Sequence, residues 1–286
     1  MHSAIATTLK LFLNAEKASL SRKILSVFGN NIEGIITRSD QGLFAVNVED
    51  MVVGRKLLRT GCYGEEEIER ALKFVQKDSS VLIIGAHIGA LAIPLSRHCR
   101  SVTAIEANPD TFKLLESNIL LNKASNIEAL NTAASDKTET LQFVMNRANS
   151  GGSKRMPKIK HNFYFSDSPQ VVDVQAVSLD ELLGPRHFDL VIMDIEGSEY
   201  FALKGMQKIL QSANSLFIEF LPHHLKNVAG VTVTELLNYI SPNFEYLFVP
   251  SKSRRTNRQE FIATLQCMYD AGDGDGGLVF SKREVL

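Results

Sequence analysis

The sequence predicts an α/β fold, a doubly wound and mostly parallel sheet preceded by a helical and hairpin extension. The first observation is alternation: from residue 81 onward, short apolar runs that read as buried strands take turns with helical patterns. The second is one junction between them. Val81 to Ile84 is fully apolar and ends in the turn Gly85 to Gly89, which opens straight into a helix; the next apolar run, Val102 to Ile105, stops on Glu106. A glycine turn between strand and helix, with an acid about 20 residues on, is the layout of a βαβ nucleotide site. Its ligand lies at the carboxyl ends of the strands.

Taken in order, residues 4 to 28 read as one or two helices, with Ile5, Leu9, Phe12, Leu20, Ile24 and Phe28 in a ragged apolar stripe. Strand-like pieces follow at Gly34 to Thr37 and Leu43 to Val48, with turn residues Ser39 to Gly42 between them. Residues 1–60 are expected to form this extension and residues 61–286 the main domain. Glu65 to Val75 is a helix leading into the first core strand. Core strands are expected at 81–85, 102–106, 127–131, 188–194 and 215–220, and helices at 88–98, 109–122 and 198–211. Asn108 and Pro109 suit the N-cap and first helical position, which fixes where the preceding strand ends. Helical crossovers make neighbouring strands parallel. One insertion breaks the rhythm. The β-like stretches Thr140 to Met145 and Val171 to Val177 flank a polar loop over 146–170 carrying Gly151, Gly152, Lys154, Arg155, Lys158 and Lys160.

Composition narrows the classes. With 286 residues and 44% hydrophobic residues the chain can bury a full core, as one large domain or a domain with an appendage. Its 31 basic against 32 acidic residues argue against a general polyanion binder, so no nucleic-acid partner is expected. The three cysteines, Cys62, Cys99 and Cys267, are too scattered for a metal or disulfide framework. No secretory signal and no window of about 18 apolar residues is visible. The chain is expected to be soluble and cytoplasmic.

The glycine spacing narrows the ligand. His87 stands where a G-x-G-x-x-G turn has its middle glycine, which a pyrophosphate needs for close backbone approach. A dinucleotide is therefore disfavoured, whereas a phosphate-free nucleoside such as S-adenosylmethionine (SAM) needs less of that room.

Several blocks, in order, then match one family: GAHIG, IEANPDTFKLLESNILLN, NTAASDKTETLQFV, NSGGS, VSLDELL, DLVIMDIEGSEYFALKGM and LFIEF. Over roughly residues 34 to 222 the chain resembles the FkbM-type SAM-dependent methyltransferases, most distinctively in Asp194, Glu196, Gly197 and Glu199 followed by LKGM. The resemblance implies a class I methyltransferase (Rossmann-like) fold, with a seven-stranded sheet and one antiparallel strand. It also implies methyl transfer, usually to a hydroxyl oxygen of a sugar, a lipid or a polyketide. Two positions depart from the family: Ile83 stands where members often carry Asp, and Ile192 where they often carry Lys.

Methyl transfer from a sulfonium is an in-line displacement that mainly needs donor and acceptor held in attack geometry, with a base for the hydroxyl proton. Gly85, Ala86, His87 and Gly89 are expected to wrap the methionine part of SAM, with backbone N–H groups facing its carboxylate. Glu106 is expected to accept both ribose hydroxyls, with Ala107 and Asn108 along the adenosine and Ala133 beside the adenine. Asp194, also a cofactor contact, Glu196 and Glu219 are the catalytic candidates, because paired acids at the mouth of a parallel sheet are costly unless they bind something or stay protonated. Glu196 and Glu199 also suit the start of a helix by its dipole. His223 and His224 offer a base near neutral pH, although adjacent histidines in a loop are more often surface residues. The three catalytic acids suit a divalent cation, but no ligand spacing demands one, so no metal is assigned. The basic loop reads chiefly as a solvated insertion, alternatively as a cover over the acceptor.

The function expected is SAM-dependent O-methylation of a small-molecule, glycan or lipid acceptor. A catalytically silent SAM-binding relative with a structural or regulatory role is the alternative, favoured by Ile83 and Ile192. An NAD-dependent oxidoreductase is disfavoured by His87, and a nucleic-acid methyltransferase by the neutral charge and by Asp194 to Gly197 in place of an Asn-Pro-Pro-Tyr-type tetrad.

Overall fold

The computed structural model describes residues 26, 27, 29 and 32–284. The helices expected over 4–28 lie outside the described residues, Ser26 and Val27 excepted.

A hairpin, β1 (Ile35–Ser39) and β2 (Gly42–Val46), comes first, followed by α1 (Val53–Thr60) and α2 (Glu65–Leu72). The core then runs β3 (Ser80–Ile84), α3 (Ala92–Ser96), β4 (Ser101–Glu106), α4 (Pro109–Leu121) and β5 (Ile127–Asn131). Next come β6 (Ala133–Ala134), β7 (Glu139–Met145), β8 (Lys154–Arg155) and β9 (Gln170–Val177). The second half holds β10 (Leu190–Met193), α5 (Glu199–Lys204), α6 (Gln207–Ser212), β11 (Ser215–Phe220), β12 (Tyr246–Val249), β13 (Arg254–Asn257) and β14 (Asp275–Ser281).

The main sheet has the order β13-β12-β14-β11-β10-β3-β4-β5. Strands β11, β10, β3, β4 and β5 run parallel, while β14 pairs antiparallel with both β11 and β12. This is the expected sheet with its one reversed strand, enlarged by an edge strand, β13, that pairs antiparallel with β12. The five residues of β3 are all buried, which is why they read as an unbroken apolar run.

Three expected helices change at identifiable residues. The one expected over 88–98 shrinks to α3, because His87 and Gly89 take positive φ (51° and 88°) and the chain cannot wind into a right-handed helix before Ala90. The one expected over 198–211 splits into α5 and α6 at Gly205. There the backbone passes so close to Ser135 that an added Cβ would lie 2.0 Å from its carbonyl oxygen. The helix expected over 65–75 stops at Leu72.

The insertion is more ordered than a solvated loop. β7 pairs with β9 and with β8, and β6 joins β9, making a four-stranded sheet beside the main one. Asp167 accepts hydrogen bonds from the backbone N–H of Arg147 and Ala148 and from Asn146 Nδ2. The hairpin is pinned to α4 by Asn118, fully buried, whose Oδ1 accepts from Ala45 N (2.6 Å) and whose Nδ2 donates to the carbonyls of Ala45 (3.1 Å) and Ile88 (2.9 Å).

Candidate active site

The carboxyl ends of β3, β4 and β10 meet at a cleft of two lobes that share Ile84, Gly85, His87, Gly151 and Asp194. The first lobe is lined by Tyr63, Glu67, Ile83, Ala86 and Ile192 among others, the second by Glu106, Ala107, Ala133, Phe143 and Arg155. They hold about 970 and 580 Å³ of non-atom space, open solvent included.

Gly85 sits where β3 runs closest to β10. Its φ is +88°, and an added Cβ would lie 1.8 Å from the Asp194 carbonyl oxygen, so no other residue fits. The turn then folds back on β4. Gly85 N and Ala86 N donate to the Ile105 carbonyl, His87 N to Glu106 Oε2, and Gly89 N to the Ala86 carbonyl. Those donors are spent inside the protein, so the expected row of N–H groups aimed at a ligand carboxylate is not present at these four residues. Gly89 does not border either lobe; it packs on Leu115 and Ile93.

Glu106 is 7% exposed, at the end of β4. His87 N donates to its Oε2 (2.8 Å) and Asn108 N to its Oε1 (2.8 Å). Glu106 lines the second lobe, and since each carboxylate oxygen has room for two donors, it keeps capacity to accept from a vicinal diol beyond the backbone N–H groups of His87, Asn108 and Ala107 that bear on it. Burial pushes the pKa up to about 7, against the pull of those backbone donors. Asn108 is the cap of α4, its Oδ1 accepting from Asp110 N and Thr111 N, and its side chain does not line the cleft.

His87 also ties the turn to its roof. Its Nε2 lies 2.7 Å from Ser150 Oγ, and Ser150 donates in turn to Asp50, whose other oxygen accepts from Val52 N and Gly54 N at the start of α1. Burial lowers the pKa of His87 although Asp50 opposes it, which favours the neutral ring. One buried chain of hydrogen bonds thus joins the extension, the glycine turn and the insertion over the cleft.

Asp194 ends the fourth core strand and faces both lobes. Its surface is open, but to the cleft rather than to bulk water. That sheltered position, then the like charges of Glu196, Glu199 and Glu67, push its pKa well above the carboxylate range, with Lys154 pulling back. Glu199 is buried and accepts from Ile195 N (3.0 Å); burial raises it to about 7. Glu196 stands in the left-handed region, φ 56°, and Gly197 beside it approaches Val228 rather than the cleft.

A second group of side chains meets beside Asp194. Glu196 Oε2 lies 3.2 Å from Lys154 Nζ and 3.3 Å from His224 Nε2, while His224 Nδ1 lies 3.5 Å from Glu219 Oε2. Burial, then Asp194, Glu196 and Glu199, push Glu219 well above the usual range. Burial, then Lys154 and His223, lower His224 to about 2, so its ring is neutral. His224 is buried, whereas His223 is exposed and touches Tyr164 Oη.

Sequence reasoning missed three residues here and misplaced a fourth, His224. Lys154, read as part of a solvated loop, is 5% exposed on β8. Arg155 is half-buried, its guanidinium 3.7 Å from the centre of the Phe201 ring. His224 is enclosed, not a surface residue. Glu67 of α2 lines the first lobe, its carboxyl raised by burial. The run of small residues Ser150 to Ser153 directly before Lys154 and Arg155 was the local signal of a close approach here. Lys158 and Lys160 are exposed, as expected, and Tyr164 is buried while Phe163 is exposed.

The strand order and the glycine turn are those of the class I methyltransferase fold. More particularly, the chain belongs to the family of the Methyltransferase FkbM domain, which matches residues 84–249. SAM is its cofactor, and Glu106, lining the second lobe, fits the ribose of that nucleoside. Among solved structures the chain is similar to methyltransferase FkbM from Methylobacillus flagellatus KT, at 18% identity and TM-score 0.42, covering 71% of this chain and 43% of that one. It is also similar to M. jannaschii TYW2 in complex with AdoMet, at 17% identity and TM-score 0.46, covering 88% and 86%. A curated relative, a probable ribosomal RNA small subunit methyltransferase A from Methanosphaera stadtmanae, is 36% identical over 56 residues; the match spans 20% of this chain and 21% of that protein. Among the described residues no helix is long and apolar enough to cross a membrane.

Proposed function

We propose that the protein transfers the methyl group of SAM to a hydroxyl oxygen of a small-molecule, glycan, lipid or polyketide-type acceptor. The observation that carries this reading is the pair of carboxylates in one cleft: Glu106 lining the second lobe with accepting capacity to spare, and Asp194 where the two lobes join. In this reading the adenosine lies against Ala107 and Ala133, with its ribose hydroxyls donating to Glu106. The methionine end lies in the lobe of Tyr63, Glu67 and Ile83. SAM supplies an electrophilic methyl group on a positively charged sulfur. Asp194 and Glu67, whose carboxyls burial pushes toward the protonated form, ionise more readily against that cationic ligand, and the roof of Ser150 and Gly151 keeps water from it.

The acceptor side is the cluster next to Asp194. Glu219, whose hold on a proton is strengthened by burial and the neighbouring acids, takes the hydroxyl proton. Lys154 holds Glu196 and offsets part of the negative field. A buried cation and two raised carboxyls at this point favour a working site over a silent one.

The test is transfer of labelled methyl from SAM to a panel of hydroxylated acceptors and a cell extract. Base-stable, ether-type product is expected. Glu219→Gln is expected to lower kcat about 10²–10⁴-fold with little change in SAM affinity. Label found on nitrogen or carbon, or full activity in that variant, would refute hydroxyl transfer.

A further inference from the structure

We propose that Glu196, Glu219 and His224 bind one divalent metal ion of the kind that accepts imidazole, Mn²⁺ or Zn²⁺, beside Asp194. The three side chains come from three separate places: the turn before α5, the end of β11 and the short helix Pro222–His224 that follows it. Each offers one ligand atom, and these atoms lie within 4.8 Å of one another. Bonds of about 2.1 Å put ligand atoms about 3–4 Å apart, so a small closing movement of side chains completes the set.

His224 supplies the reason to expect an ion. It is 4% exposed, and its Nδ1 is buried without a hydrogen-bond partner. A neutral imidazole has one N–H and one lone pair. Both ring nitrogens face carboxylate oxygens, Nε2 toward Glu196 at 3.3 Å and Nδ1 toward Glu219 at 3.5 Å. With the proton on Nε2, the Nδ1 lone pair is left beside the lone pairs of Glu219, without a donor and shut off from water. That arrangement is unfavourable unless something positive lies between them. Lys154 does not fill the role: its Nζ is placed on Glu196, 3.2 Å away, while Asp194 and Glu219 share it only at a distance. A metal ion takes the nitrogen lone pair and one from each carboxylate, and relieves the crowding of acids.

The donor set selects the ion. One imidazole with two carboxylates suits Mn²⁺ or Zn²⁺, whereas Mg²⁺ and Ca²⁺ prefer oxygen throughout. Metal binding stands on this geometry alone. Its use in catalysis, holding the acceptor oxygen, rests on the proposed hydroxyl transfer.

The experiment uses the full chain, freed of any affinity tag, stripped with EDTA and desalted. Calorimetric titration with MnCl₂ and with ZnCl₂ is expected to show one equivalent bound. His224→Gln and Glu219→Gln are each expected to weaken binding about 100-fold, with circular dichroism checking that they fold. CoCl₂ added to the unaltered protein is expected to give the visible absorption bands of a low-coordinate nitrogen–oxygen site, a readout needing no variant. Lack of stoichiometric uptake and of those bands, or uptake unaffected by both substitutions, would overturn the proposal and assign a proton shared between Glu219 and His224 instead. SAM titrated into the same stripped protein separates the two readings: SAM binding without metal uptake refutes the metal site alone.

Discussion

Replacing Glu106 by Gln tests the centre of the cofactor site. The substitution keeps the shape but turns one oxygen into an NH₂ group. Whichever oxygen is lost, the N–H of His87 or Asn108 then faces another donor, and one ribose hydroxyl loses its acceptor. The mispaired backbone N–H costs about 1–3 kcal/mol of fold stability. A gain opposes it. With its pKa raised from 4.5 to about 7 in the fold, the carboxylate binds its proton more tightly folded than unfolded. Stability therefore falls as pH rises from about 4.5 to 7, and above that range ionised Glu106 costs about 3 kcal/mol. Removing it returns that amount, so at pH 8 the melting temperature of the ligand-free variant is expected to stay within a few degrees of the parent. Affinity is another matter. Losing a hydrogen bond to a charged acceptor, about 1.5–3 kcal/mol, weakens SAM binding about 10- to 150-fold. Calorimetric titration with SAM from pH 5.5 to 8.5 adds the sign. The parent is expected to lose affinity as pH falls below about 7, approaching tenfold per unit as Glu106 takes up its proton, and the variant to lack most of that slope. A variant that binds SAM within about threefold of the parent, or a parent whose affinity is flat across this range, would refute the assignment of Glu106.

Two further predictions concern the scaffold. Gly85→Ala forces a Cβ into the Asp194 carbonyl at positive φ; a loss of about 4 kcal/mol or more, roughly 10 °C in melting temperature, is expected with loss of SAM binding, and near-parent melting would refute it. Asn118→Ala leaves Ala45 N and the carbonyls of Ala45 and Ile88 without partners; about 2–4 kcal/mol of stability is expected to go, with faster amide exchange at Ala45 as the local readout.

Local chemistry was legible in the sequence because it is carried by neighbours along the chain. The apolar runs gave β3, β4, β5, β10 and β11 nearly to the residue, Asn108 and Pro109 set the start of α4, and Gly85 with Glu106 marked the cleft proposed to hold the nucleoside. Each is a consequence of burial or backbone conformation within a few residues. What spans the chain was hidden. Nothing at Lys154 signals that β8 turns it under the cleft to meet Glu196, 42 positions on. His224 looked like half of a surface pair until the loop after β11 folded it between two acids. Gly205 broke a strong helical pattern because a distant carbonyl, that of Ser135, needed the space. Periodicity and capping decide which segments become strands or helices, since those forces act over one turn or one pleat. Charge partners, the roof through Asp50, Ser150 and His87, and the shared cluster at Glu219 were decided by the tertiary structure, because only close packing sets which remote groups lose water together.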